Sequence, residues 1–186
     1  MEDLQSIKQL KSGDIAGLEA LVHKYQVQAV RTAYLITHDR ALAEDVVQAA
    51  YLRVYRSIER FDVRRPFAPY FLRIVINEAV QAARRAGRQM PLADDAPDWD
   101  MLLNADLPDP QDEVEASELR ETVRRALLAL SPEQRAAVVL RYYLDLSEVE
   151  MSDLLAVPTG TIKWRLHAAR KQLRGLLQSW TGEGGR

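Results

Sequence analysis

Between Gln89 and Leu119 the chain carries ten acidic side chains, four prolines and no lysine or arginine. Pro91, Pro97, Pro108 and Pro110 deny this stretch a continuous helix, and its like charges repel one another. Residues 89–116 therefore read as an acidic flexible linker, and the rest of the chain must close its cores on either side. Residues 1–88 hold 14 basic and 10 acidic side chains, net +4, and residues 120–186 hold 11 and 7, again +4. The formal net charge of −2 conceals this separation, and local potential rather than net charge decides whether a surface meets a polyanion. By the flexible-chain estimate the linker spans roughly 30 Å, which lets the two blocks act at separate places.

The 186 residues suffice for two small domains. In the first, Leu18, Leu21, Val22, Tyr25, Ala29, Ala33 and Ile36 follow the helical period from a candidate N-cap at Asp14. Further helices are predicted from about Arg40 to Ile58 and from about Pro66 to Arg85. After the linker come 113–130, with Leu119, Val123, Leu127 and Leu130 on one stripe, then 132–144, 147–155 and 160–178. Ser131-Pro132-Glu133-Gln134 and Ser147-Glu148-Val149-Glu150 are capping-box starts. No segment alternates with period two, so the fold class is all-α.

Several chemistries lack their residues. Without cysteine there is no disulfide, thiolate nucleophile or zinc knuckle, and a reducing compartment fits. His23, His38 and His167 are scattered, so no metal or other cofactor is expected. Glu44 and Asp45 diverge by about 100° on a helix, which suits a solvated or partner-facing turn better than a catalytic pair. Acidic Glu2 and Asp3 with no apolar stretch behind them do not make a secretory signal. No apolar run approaches the roughly 20 residues that cross a bilayer, so a cytoplasmic protein without membrane insertion is expected.

Two constellations point to nucleic acid. The last two helices are joined by Val157-Pro158-Thr159, the pattern of a helix-turn-helix. On the second of them Ile162, Leu166, Ala169, Leu173 and Leu176 form an apolar stripe, with Lys163, His167, Arg170 and Arg174 about 100° around. That basic stripe describes either a major-groove reader or a solvated bundle face. Upstream, aromatics interleave with arginines from Phe61 to Tyr70, and Arg73, Asn77, Gln81, Arg84 and Arg88 space along one face, with Phe71, Ile74 and Val75 inward. Such a mixture holds unpaired bases by stacking and charge; equally, the aromatics are simply core.

Taken together these residues resemble the extracytoplasmic function (ECF) group of bacterial RNA polymerase sigma factors in the sigma-seventy family. The resemblance runs from Gly13-Asp14 through Leu35-Ile36-Thr37-His38-Asp39 and Ala43-Glu44-Asp45-Val46-Val47-Gln48 to Phe67-Ala68-Pro69-Tyr70-Phe71-Leu72-Arg73-Ile74. It resumes at Leu130-Ser131-Pro132-Glu133-Gln134-Arg135 and at Val157-Pro158-Thr159-Gly160-Thr161-Ile162-Lys163. The chain departs from the family pattern at Tyr70 (usually Trp), Ile76 (Arg), Gln81 (Asp), Trp164 (Ser) and Ala168 (Arg). Losing two basic side chains weakens phosphate contacts, and Trp164 packs on the sugar-phosphate edge or on another helix.

The resemblance implies a transcription initiation factor without catalysis of its own, whose partners are core RNA polymerase and promoter DNA, duplex and melted. Residues 1–88 are a region-2-like domain for polymerase and the minus-ten element, 117–178 a region-4-like domain for the minus-thirty-five element, and 179–186 a flexible tail. Asp45, Gln48 and Leu52 meet the polymerase. Thr161, Lys163, Arg165, His167, Arg170 and Arg174 read duplex, and Arg64, Arg65, Tyr70, Arg73, Asn77 and Arg84 serve the melted strand. An anti-sigma factor is a candidate partner. The linker either threads polymerase channels or is a solvated tether. The rival readings are a helix-turn-helix repressor that needs no polymerase and a small helical hydrolase built on Glu44 and Asp45.

Overall fold

The computed structural model describes the backbone of residues 2–87 and 113–183, and the side chains of 3–87 and 121–176. The expected linker up to Asp112, together with Arg88, lies outside the described residues, and Leu119 is described in backbone alone. The chain divides into two compact units, Met1–Met90 and Pro91–Arg186. All regular structure among the described residues is helical.

The first unit holds α1 (Glu2–Lys11), α2 (Ala16–Thr37), α3 (Arg40–Ser57), a 3-10 turn (Ile58–Arg60) and α4 (Phe67–Ala86). Its core is aromatic. Phe67, Phe71, Tyr25, Tyr51 and Phe61 are buried, with Tyr51 stacked on Phe71 at 4.5 Å between centroids and Tyr25 tilted against Phe67 at 5.6 Å. The aromatics of the arginine-rich segment are thus core apart from Tyr70, which is half-buried. Burial pushes the Tyr51 phenol up, and its hydroxyl is enclosed without a hydrogen-bond partner.

Asp14 caps α2 one residue earlier than a standard N-cap, its carboxylate accepting from the Ala16 N–H at 3.0 Å, and Asp39 caps α3 by accepting from Leu42. In α4, Phe71 and Val75 are buried as expected, but Ile76 is fully buried while Ile74, also expected inward, is half-buried. Because α4 packs against both α2 and α3, its buried arc is wider than one stripe and takes in position 76. Ile76 is therefore a core residue, and reading it as a lost phosphate contact is corrected.

Helix α1 was not anticipated. Ile7 and Leu10 are its buried contacts, and its remaining ties are distant in sequence. Lys11 donates to the carbonyls of Glu59 and Phe61 at 3.1 and 2.8 Å, and Asp3 accepts from Lys24 at 2.6 Å and from the Tyr25 hydroxyl at 2.5 Å. Burial opposes ionisation of Asp3, yet those two bonds outweigh it and hold the carboxyl below its ordinary range; burial and Asp3 push Tyr25 up to about 12.

The second unit holds α5 (Glu113–Leu128), α6 (Pro132–Tyr142), α7 (Glu148–Leu155) and α8 (Thr159–Glu183). Both expected capping boxes form: Gln134 N–H donates to Ser131 Oγ and Glu150 N–H to Ser147 Oγ, each at 3.3 Å, with reciprocal bonds from the cap N–H groups at 2.9 and 2.8 Å. The stripe expected on α5 is only partly covered, with Leu130 buried but Val123 44% exposed. Helix α8 runs past its expected end to Glu183, taking in the first residues of the expected tail.

Gly17 allows α1 to approach α2, since a Cβ there would overlap the backbone oxygen of Ser6 and the backbone nitrogen of Leu10. Neither atom can swing aside. Gly17→Ala is expected to lower stability by about 1–3 kcal/mol, the range for overpacking, read as a downward shift of the unfolding midpoint; an unchanged midpoint would show that α1 is not docked in solution.

Candidate nucleic-acid interface

The turn between α7 and α8 is tightly specified. Ala156 ends α7 in the left-handed region (φ 52°), its N–H donating to the Ser152 carbonyl, while the Ser152 hydroxyl donates to the Val157 carbonyl at 2.6 Å. Three residues suffice to turn the chain, and α8 starts at Thr159. Ile162, Leu166 and Ala169 on α8 are completely buried, and Met151 and Leu154 on α7 are buried with them. This is the compact helix-turn-helix arrangement.

With the apolar stripe turned inward, Lys163, His167, Arg170 and Arg174 stand exposed, and Thr161 and Arg165 are half-buried at the flank. Lys163 is 3.9 Å from Glu148 on α7, a loose pairing that leaves it available to a stronger anion. Leu176, expected on the apolar stripe, is 40% exposed. Exposed Trp164 and Lys171 share the outer surface; Trp164 was expected on the sugar-phosphate edge or on another helix, whereas Lys171 was not singled out. The signal for Lys171 was present in the angular spacing, since it falls on the side of the helix away from Ile162 and Leu166.

A buried cation supports this unit from below. Arg135 is 6% exposed, and its guanidinium donates to the carbonyls of Leu127, Leu128 and Leu130 at 3.0, 3.4 and 3.1 Å. Leu127 and Leu128 lie in the last turn of α5 and Leu130 just beyond it, so one cation gathers the carbonyls around the helix end, where intrahelical donors run out. Burial lowers the Arg135 pKa to about 10. Of the other arginines here, Arg124 and Arg125 both bind Glu121, whose carboxyl they hold down at about 2. Arg125 is exposed but ion-paired, whereas α8 presents several exposed basic side chains on one helix.

In the first unit two further faces form. Val46, Val47, Ala50 and Val54 of α3 are buried, which turns Asp45, Gln48 and Leu52 outward together, Leu52 being 55% exposed. Glu44 is paired with Arg40 at 3.0 Å, so Glu44 and Asp45 are not a joined carboxylate pair. On α4, Tyr70, Arg73, Asn77 and Arg84 lie on one face opposite Phe71, Val75 and Ala79. Tyr70 is held there by its hydroxyl, 2.8 Å from Ser57 Oγ, and by its ring against Phe61 at 4.7 Å.

The preceding loop presents Arg64 and Arg65, both exposed. Arg64 forks onto Asp62 at 3.0 and 3.1 Å, and this bond holds the Asp62 carboxyl below its ordinary range. Asp62 therefore offsets part of the loop's positive charge. Among the described residues there is no cluster of three or more metal-ligating side chains, and no helix is long and apolar enough to cross a membrane.

Residues 21–89 match the family described as Sigma-70 region 2, and residues 120–173 match Sigma-70, region 4. The chain is 32% identical over 179 residues to the ECF RNA polymerase sigma factor SigW of Bacillus subtilis, covering 91% of this chain and 96% of that protein. It is 29% identical over 185 residues to the ECF RNA polymerase sigma-E factor of Haemophilus influenzae, with 96% of each chain covered. Among solved structures it resembles CnrH in complex with the cytosolic domain of CnrY (TM-score 0.67, 21% identity, 96% and 99% of the two chains). It also resembles the sigma factor RpoE of Bartonella quintana in complex with the anti-sigma factor NepR (0.64, 20%, 86% and 96%). Both structural likenesses speak to the fold.

Exposed Lys163 and half-buried Arg165 offer two kinds of contact to separate. Lys163→Ala is expected to weaken binding to all duplexes alike and to reduce the slope of log affinity against log salt by about one. Arg165→Ala is expected to cost roughly 1–3 kcal/mol and to relax preference at a single position. A randomised duplex library read over a salt series distinguishes them; no change with either variant would remove α8 as the reader.

Proposed function

The chain belongs to the ECF group of the sigma-70 family, and from that membership we propose how its two units divide the work of an RNA polymerase-binding transcription initiation factor. The family is a non-enzymatic one; this chain directs core polymerase to promoters and performs no catalysis of its own. The unit of residues 1–88 holds core polymerase and captures the melted minus-ten strand. The unit of 117–178 reads the minus-thirty-five element as duplex, and residues 89–116 join the two.

The observation that carries this reading is the rotation of α8, whose fully buried Ile162, Leu166 and Ala169 leave a face containing Lys163, His167, Arg170 and Arg174 and no acidic residue. A rigid helix with that face suits a major groove. Supporting it in the first unit, Asp45, Gln48 and Leu52 form a mixed polar and apolar row of the kind that docks on protein. Tyr70, Arg73, Asn77 and Arg84 form a face where a base can stack and a backbone be neutralised, with Arg64 and Arg65 steering the strand. Acting on polymerase places the protein in the cytoplasm, where an anti-sigma factor, such as the one bound to the Bartonella quintana protein, is the expected antagonist. A repressor acting without polymerase is the weaker reading, since it leaves the α3 row without a purpose.

Asp45→Arg combined with Gln48→Ala is expected to weaken association with core polymerase at least tenfold in an anisotropy titration while helicity stays unchanged; wild-type affinity would refute the α3 assignment. Arg64→Ala with Arg65→Ala is expected to leave core binding and closed complexes intact and to depress open-complex formation. That defect should vanish on a template already mismatched across the downstream element, because unstacking costs a few kcal/mol that the mismatch removes. An equal defect on both templates would assign the loop elsewhere.

A further inference from the structure

Trp164 is 65% exposed, the highest value among the large apolar side chains described, and it sits in the second turn of the helix that the proposed function gives to duplex reading. At about 100° per residue it stands about 200° from both Ile162 and Leu166, so it occupies the outermost line of α8, directly away from the core. The positions one turn before and one turn after it are Gly160 and Ala168. A Cβ at Gly160 would meet nothing within 4 Å, so the ridge along which the indole lies is bare. Thr161 and His167 flank it, Lys163 and Arg165 adjoin it, and residues 154–182 contain no acid to repel a phosphate backbone.

A large apolar ring exposed at the crest of a polar face gains free energy when an apolar partner covers it. The major groove exposes one apolar group, the C5-methyl of thymine. Resting on the reading of α8 as the duplex reader, we infer that Trp164 is a specificity-determining residue that packs on a thymine methyl in the upstream element, while its cationic neighbours hold the phosphates. The ring selects thymine over cytosine and over any base pair that presents no methyl at that step. Bare ground at Gly160 and Ala168 lets it lie along the groove rather than stand across it.

The test uses holoenzyme reconstituted from the full chain and core polymerase, first on a duplex library randomised across the upstream region. Wild type is expected to select thymine at one position, and Trp164→Ser to lose that preference while keeping its others. On the selected duplex, replacing that thymine with deoxyuridine is expected to weaken wild-type binding about fourfold, equivalent to about 0.8 kcal/mol for one buried methyl group. Trp164→Ser should bind the two duplexes equally, and Trp164→Phe should retain part of the difference. Selective binding by wild type with no response to deoxyuridine at any thymine would overturn the inference while leaving α8 as the reader. Loss of core association in Trp164→Ser with an unchanged sequence profile would also overturn it, placing the ring on protein. A holoenzyme that selects no upstream sequence would overturn the reading of α8 itself, and this inference with it.

Discussion

The burial of a few apolar side chains fixes the rotation of every helix that carries function. Burying a Leu or Ile is worth about 1.5–3 kcal/mol, and turning α8 by one residue would expose Ile162 and Leu166 while driving charged neighbours toward the core. Such a rotation exceeds what a small domain can spare from its net stability. The outward set therefore follows from the inward set. The same constraint aims Asp45, Gln48 and Leu52 through Val46, Val47, Ala50 and Val54, and aims Tyr70, Arg73 and Asn77 through Phe71, Val75 and Ala79. The three candidate interfaces share this one device.

What could be read from the sequence was mainly what local rules decide. The capping boxes at Ser131 and Ser147 form as their spacing dictates, because an N-cap bond involves residues three apart and needs no distant partner. Helix α1 escaped because it depends on a glycine in the next helix, on carbonyls near residue 60 and on Asp3 meeting Lys24 and Tyr25. None of these is visible within a ten-residue window. Ile76 was misread for a related reason. A family comparison reports which residue type stands at a position, whereas burial depends on how many neighbours a helix has, and α4 has two. Tyr70 shows the middle case: its membership of an aromatic-arginine run was plain, but its half-buried setting against Phe61 and Ser57 follows from tertiary packing alone.

Arg135 shows why a basic residue in a motif need not touch nucleic acid. Its three carbonyl partners close the end of α5 and tie it to α6. The buried charge is compensated by these three bonds, made where the last carbonyls of a helix run out of intrahelical donors. Arg124 and Arg125 are engaged by Glu121 in the same helix. Burial of Arg135 and the Glu121 pairing of Arg124 and Arg125 offset part of this unit's positive charge, while α8 carries a ridge of exposed basic side chains.

That ridge divides affinity from selectivity by physical type. On the proposed reading of α8, phosphate contacts from Lys163, Arg170, Lys171 and Arg174 would release counterions and weaken steeply as salt rises, whatever the sequence. The proposed apolar contact from Trp164 would release water, not ions, so its share of the binding free energy would be nearly independent of salt. As ionic strength increases, the charged contacts fade for specific and nonspecific duplexes together, while the difference contributed by the ring persists. A helix with a few cations on its flank and one large apolar side chain at its crest therefore loses affinity with salt faster than it loses discrimination. Residues 154–182 contain no acid, so no carboxylate within that stretch opposes that balance.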